Sequence, residues 1–136
     1  MRPRRSALYM PAANMRAMDK ARDLQCDAVI FDLEDAVAVA SKEQARRNLA
    51  QQIAAGGYGQ RELIIRVNGL DTPWGSEDLR ACARLPIDAL LFPKVSSRTY
   101  VEEIDALVQE HNPDLPIWIM IETPTALIDI EHFAGH

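Results

Sequence analysis

Leu63-Ile64-Ile65-Arg66-Val67-Asn68 is an apolar run that acquires charge only as it ends. Side chains alternate faces along a strand, so Ile64, Arg66 and Asn68 share one side and Leu63, Ile65 and Val67 the other. One face is apolar throughout, while the other turns polar at its C-terminal end. A strand covered by helices on both faces should read apolar on both to its end. A strand with one polar-ended face fits a stave of a closed (β/α)8 barrel, whose mouth is built at the C-terminal ends of the strands.

The same signature recurs along the chain. Ala28-Val29-Ile30-Phe31 ends in Asp32-Leu33-Glu34-Asp35, Leu90-Leu91-Phe92 ends in Pro93-Lys94, and Ile117 to Ile121 ends in Glu122. In the last run Trp118, Met120 and Glu122 share a face and three isoleucines take the other; in the Leu90 run, Leu90, Phe92 and Lys94 are expected together on the mouth-facing side. Ser6 to Met10 supplies a first strand. Helical periodicity fills the gaps. Asn14 to Leu24 carries Met18, Ala21 and Leu24 on one stripe. Ser41 with Gln44 fits a capping box for a helix ending near Gly56-Gly57; Ser76 opens a helix with Leu79, Cys82 and Ala83. Thr99 with Glu102 is a second box, and a last helix is expected from Pro124 toward Phe133.

Five βα repeats imply a parallel sheet. The expected fold is α/β, a TIM-type (β/α)8 barrel of which residues 1–136 form a single, incomplete domain of about five βα units. A whole barrel needs about 250 residues. A complete five-strand flavodoxin-like sheet is the rival, disfavoured by the strand faces and by the lack of a glycine-rich phosphate loop after the first strand.

Composition narrows the partners. A formal charge of −5, from 20 acids and 15 bases, disfavours nucleic acid, and Arg2, Arg4 and Arg5 are too few to reverse that. No apolar run approaches the ~18 residues that span a bilayer, and no signal-peptide core opens the chain, so the cytoplasm is the expected compartment. Cys26 and Cys82, in helix-like segments without metal spacing, read as reduced packing thiols. His111, His132 and His136 share no metal spacing and are expected at the surface or at helix ends.

Around the mouth stand Asp32 or Glu34 with Asp35, Arg66 with Asn68, Lys94, and Glu122. Such ions must be paired, solvated or metal-bound. An acid-rich mouth suits Mg²⁺, which takes one or two carboxylates plus waters or substrate oxygens. The planar fork of an arginine suits a carboxylate or an enolate oxygen. Together they point to carbon–carbon bond chemistry through an enolate. Simpler readings stand beside these. Glu122 could cap the next helix with Thr123 and Pro124, Arg66 could be a structural partner of Asp32 or Glu34, Asp35 could cap the next segment, and Lys94 could be a solvated strand-end lysine. Asn68 could hold Arg66 or contact ligand. A Schiff-base role for Lys94 is disfavoured by its acidic surroundings.

At these positions the chain resembles the citrate lyase β-subunit family of the HpcH/HpaI aldolase superfamily. The matching stretches are Arg5 to Pro11, Asp27 to Val37, Arg66-Val67-Asn68, Phe92-Pro93-Lys94 and Ile119 to Thr123, in family order. The Asp32 to Val37 stretch is the most specific. The resemblance implies a Mg²⁺-dependent carbon–carbon lyase on a (β/α)8 barrel, usually oligomeric, acting on a citryl-, malyl- or citramalyl-like thioester of coenzyme A or acyl carrier protein with a keto-acid partner. It makes Glu122 a metal ligand and Arg66 the catalytic group that contacts substrate and stabilises the enolate. Asp32, Glu34 and Asp35 become a supporting acidic cluster, and Asn68 and Lys94 are expected to join Arg66 in binding substrate. A second metal carboxylate is expected one βα unit beyond Glu122, past His136, so a non-catalytic assembly subunit is the alternative function. Exposed strand edges would serve that role.

Overall fold

The computed structural model describes residues 3–133. Strands β1 (Ala7–Pro11), β2 (Ala28–Asp32), β3 (Glu62–Arg66), β4 (Ala89–Phe92) and β5 (Ile117–Ile119) alternate with helices α1 (Met15–Lys20), α2 (Lys42–Ala55), α3 (Gly75–Cys82) and α4 (Arg98–His111). Two short helices, α5 (Pro124–Ile128) and α6 (Ile130–Phe133), follow β5. Every neighbouring strand pair is parallel and the spatial order is β1-β2-β3-β4-β5. A doubly wound sheet reverses its strand order at a switch point. This sheet never reverses, as expected for consecutive staves of a barrel.

Two apolar layers follow from strand alternation. Ala28, Ile30, Ile64, Ala89 and Leu91, with Trp118 and Met120, fill the concave side. Phe31, Ile65, Val67, Leu90 and Phe92 meet Met18, Leu49, Ile53, Leu79 and Ile104 from the helices on the other side. The faces of β3 and β5 are those read from sequence. In β4 the phase is the opposite: Leu90 and Phe92 pack under the helices, and Ala89 and Leu91 point inward. Lys94 therefore does not reach the mouth by strand alternation. β4 stops at Phe92, and Lys94 sits in a turn with φ +53, which re-aims its side chain.

Local chemistry shifts several helix boundaries. Asn14 caps α1, its side chain accepting from the Ala17 N–H at 3.0 Å. A 3-10 turn at Val39–Ser41 leads into α2, and the Ser41 hydroxyl caps nothing. Helix α3 opens at Gly75, before Ser76, and the position takes glycine because a β-carbon there would lie 2.2 Å from the Gly69 carbonyl oxygen. Ser97, not Thr99, caps α4, accepting from Tyr100 N at 3.2 Å from an extended backbone suited to the task. The last helix is broken at Asp129. Cys26 lies in the loop before β2 rather than in a helix, whereas Cys82 ends α3, where burial drives its thiol pKa far up. No helix among the described residues is long and apolar enough to cross a membrane. Arg2 and His136 lie outside the described residues.

The edge opposite the mouth is fastened by ion pairs. Arg4 grips Glu62 through two bonds of 2.5 and 2.7 Å and lies 5.0 Å over the Trp118 ring. Asp27 accepts from Arg5 Nη2 and from Arg5 N, both at 2.8 Å, and from Ser6 N at 3.2 Å, binding the entry of β1 to that of β2. Its pKa falls below the ordinary value of 3.8, first through the Arg5 side chain and then through the backbone donors. A carboxylate with a depressed folded-state pKa contributes stability above its unfolded pKa and loses it as the pH drops below. Asp27→Asn should accordingly lower the urea midpoint near neutral pH, with the gap from wild type closing progressively as the pH falls below 3.8. Parallel curves at all pH values would exclude this role.

Candidate active site at the mouth of the sheet

Parallel register sets Asp32, the last residue of β2, beside Arg66, the last of β3. Their side chains form a bidentate pair, Nε to Oδ1 at 2.8 Å and Nη2 to Oδ2 at 2.6 Å, with both residues buried. Asp32 also accepts from Glu34 N at 2.8 Å and Ala36 N at 3.0 Å, so all of its roughly four lone-pair sites are engaged. Burial pushes the Asp32 pKa up, but the guanidinium and the backbone donors outweigh it, and the net shift is downward. Arg66 is likewise opposed by burial, yet Asp32 carries its net shift upward. The pair is ionised and fixed in direction.

Arg66 presents its remaining nitrogen to the mouth. Nη1 lies 3.3 Å from Glu34 Oε2 and 3.7 Å from the Met120 sulfur, and the guanidinium carbon sits 5.0 Å from the Tyr9 ring centroid. A thioether is a weak acceptor. That edge of the fork is the one an incoming oxygen can take over at little cost. Tyr9 and Met120 were missed as site residues in the sequence, although strand alternation alone puts them on the concave face.

Glu34 links the arginine to the next loop. Its Oε2 accepts from Asp35 N at 3.0 Å, and its Oε1 accepts from Lys94 Nζ. This bond raises the Lys94 pKa, the reverse of what an amine nucleophile needs. Lys94 N donates to Glu122 Oε1 at 2.7 Å, drawing that exposed carboxylate to the rim. Thr123 is the cap of α5, accepting from Ala126 N at 3.1 Å, so Glu122 has no capping duty. Asp35 stands exposed at the margin, 3.7 Å from Lys94 Nζ, and caps no helix. An open cleft of about 420 Å³ adjoins the mouth, lined in part by Glu34, Asp71, Thr72, Lys94 and Tyr100.

Asn68 is not brought to this group. It lies past the end of β3 and points behind the mouth, where Oδ1 accepts from Lys42 Nζ at 2.8 Å. Its Nδ2 donates to Leu33 O at 3.0 Å and Asp78 Oδ2 at 2.5 Å. Its alternation with Arg66 ends with the strand, and its amide is fully spent on the scaffold.

Among the described residues no group of three or more His, Cys, Asp or Glu side chains is arranged to hold a metal. Asp32 is saturated and Glu34 is bound to two cations. Glu122, which accepts one backbone N–H through Oε1, is a rim carboxylate whose chemistry fits a hard cation, as one ligand of a larger set.

Comparison with known proteins agrees with this architecture. The chain is 48% identical over 134 residues to a (3S)-malyl-CoA thioesterase of Cereibacter sphaeroides, covering 98% of this chain and 46% of that protein. It is 38% identical over 104 residues to the citrate lyase subunit beta of Escherichia coli K12, covering 76% of this chain and 34% of that one. RipC from Yersinia pestis superposes with a TM-score of 0.74 at 31% identity, over 97% of this chain and 53% of RipC. The citrate lyase beta subunit of M. tuberculosis, solved with oxaloacetate and magnesium, superposes with a TM-score of 0.76 at 27% identity, over 95% of this chain and 52% of that one. The chain thus spans between about a third and about half of the length of these relatives, and its five strands are the N-terminal portion of a TIM-type barrel. A family model for HpcH/HpaI aldolase/citrate lyase matches residues 5–135, and the chain belongs to that family.

Proposed function

We propose that this chain supplies the N-terminal half of an active site that cleaves or forms a 3-hydroxyacyl thioester of the malyl, citramalyl or citryl type by carbon–carbon chemistry. The observation that carries the reading is the buried, bidentate Asp32–Arg66 pair, which leaves one guanidinium edge facing the mouth. In cleavage, the electron pair of the bond between the α- and β-carbons moves onto the thioester as an enolate. The β-hydroxyl gives its proton to a water molecule at the mouth and becomes the carbonyl of the released oxo-acid, and the enolate then takes a proton from water at its α-carbon to leave as the acyl thioester. Arg66 Nη1 donates to the thioester oxygen as that charge develops, displacing the weak sulfur contact. Its direction is already set by Asp32, so no reorganisation is needed in the transition state. Lys94, charged and held by Glu34, adds positive potential beside the same oxygen or the oxo-acid carboxylate.

Glu122 would contribute one carboxylate to a Mg²⁺ site completed by a ligand outside these residues, in keeping with the magnesium bound in the M. tuberculosis relative. The ion would supply Lewis-acid polarisation of the oxo-acid oxygens.

A second reading, thioester hydrolysis, is favoured by the Cereibacter relatives, which are malyl-CoA thioesterases. Hydrolysis puts negative charge on the same thioester oxygen, so Arg66 serves either reaction. Products separate them. A full-length protein carrying this chain, given malyl-CoA and Mg²⁺, should release glyoxylate and acetyl-CoA; release of malate and free thiol would establish hydrolysis instead. No turnover of any of the three thioesters would overturn both readings. Activity should disappear with a chelator and return with Mg²⁺, whereas chelator-resistant turnover would remove the metal from the scheme.

Arg66→Ala should lower turnover by about 10²–10³-fold, the usual loss for one charge-stabilising donor. It also strands the buried Asp32 carboxylate, at a stability cost of about 3–5 kcal/mol. The double variant Asp32→Asn/Arg66→Gln should recover most of that stability, measured by urea unfolding, and none of the turnover. Recovery of both together would assign Arg66 to the scaffold alone.

A further inference from the structure

Behind the mouth lies a second polar cluster that the proposed chemistry does not use. Lys42, at the start of α2, is buried, and its Nζ donates to Leu33 O at 2.9 Å, Glu34 O at 2.9 Å and Asn68 Oδ1 at 2.8 Å. An ammonium has three donors, and all are used on neutral acceptors. Asn68 passes the connection to Asp78, which is fully buried and held from α2 by Arg46 at 2.9 Å through Nε and 2.8 Å through Nη2. Asp78 also accepts from Asn68 N at 3.1 Å, and the Trp74 ring covers Nζ at 5.2 Å. One lysine thus ties two successive carbonyls at the end of β2 to the end of β3 and to two helices. The second of those carbonyls belongs to Glu34, whose carboxylate bridges Arg66 and Lys94.

We propose that Lys42 is a positioning residue: it fixes the backbone of Leu33 and Glu34 against Asn68, and so holds the Glu34 carboxylate where it aims Arg66 and Lys94 at the substrate. It touches neither of those side chains itself. Burial holds the Lys42 pKa below its ordinary value, and Asp78, Glu34, Asp32 and Asp35 offset only part of that shift. Misplacing a catalytic group by about 1 Å can cost about 10²-fold in rate.

This inference rests on the proposed thioester chemistry, and its test separates the two. In the full-length enzyme assayed with malyl-CoA, Lys42→Met should lower kcat by about 10–100-fold with KM within about twofold of wild type. Leu49→Ala, which removes a buried leucine from the same helix, should lower the thermal midpoint while leaving kcat near wild type wherever it remains folded. Equal kcat losses in the two variants, or a normal kcat in Lys42→Met, would overturn the proposal. If Lys42→Met does not fold, Asn68→Ala keeps the ammonium, removes its link to Asp78 and carries the same expectation. Should wild-type protein turn over none of the thioesters, the functional reading fails and amine labelling of the native protein still tests the clamp. Lys42 should then resist modification that Lys20 and Lys94 accept, and equal labelling would exclude the clamp.

Discussion

Asp32 and Arg66 end adjacent parallel strands in register, and their buried, doubly hydrogen-bonded ion pair sets the order of everything else at the mouth. Two charges withdrawn from water are tolerated only when their remaining hydrogen-bonding capacity is also met. That demand explains the local sequence. The backbone after β2 curls so that the Glu34 and Ala36 N–H groups meet the Asp32 oxygens, which brings the Glu34 side chain back over Arg66. Tyr9 and Met120 close the guanidinium from β1 and from the residue after β5, across the concave side of the sheet. The site is a consequence of satisfying one ion pair.

Carboxylates that look equivalent in the sequence acquire different work through this constraint. Asp32 is saturated by four donors and orients Arg66. Glu34 is a bridge between two cations, Asp35 is a solvated rim charge, and Glu122 is an exposed carboxylate tied to the rim by the Lys94 N–H. Lys42, Asn68, Asp78 and Arg46 form an outer layer that grips the backbone from behind. Rigidity at the mouth is thereby supplied by helices rather than by the loops themselves.

The barrel was legible because side-chain alternation in β3 and β5 separates an apolar helix face from a face that ends polar, and because alternating strands and helices constrain topology. The family resemblance was legible in the stretch from Asp32 to Val37. Lys94 shows where alternation failed: the phase of β4 is set by packing Leu90 and Phe92 under helices, and a positive-φ turn then redirects the lysine. Asn68 shows the same limit: two residues past the end of β3, its side chain no longer follows the alternation of the strand. Lys42 and Asp78 were invisible for another reason. Both sit on helices among other charged residues, and nothing in a one-dimensional pattern distinguishes a lysine that folds inward onto carbonyls from one that faces water. The start of α4 moved by two residues because Ser97 has the extended backbone that capping needs while Thr99 already lies within the helix; Ser41 does stand at the head of α2, but its αR backbone leaves the hydroxyl without a capping bond.

In the proposed chemistry Arg66 acts through a direction fixed by Asp32 and Glu34 rather than through charge alone. Arg66→Lys in the full-length enzyme tests it most directly, because lysine keeps the charge and loses the planar fork. Steady-state kinetics with malyl-CoA should show kcat reduced by at least about tenfold, with protein folded by circular dichroism. A lysine variant with wild-type kcat would contradict the account.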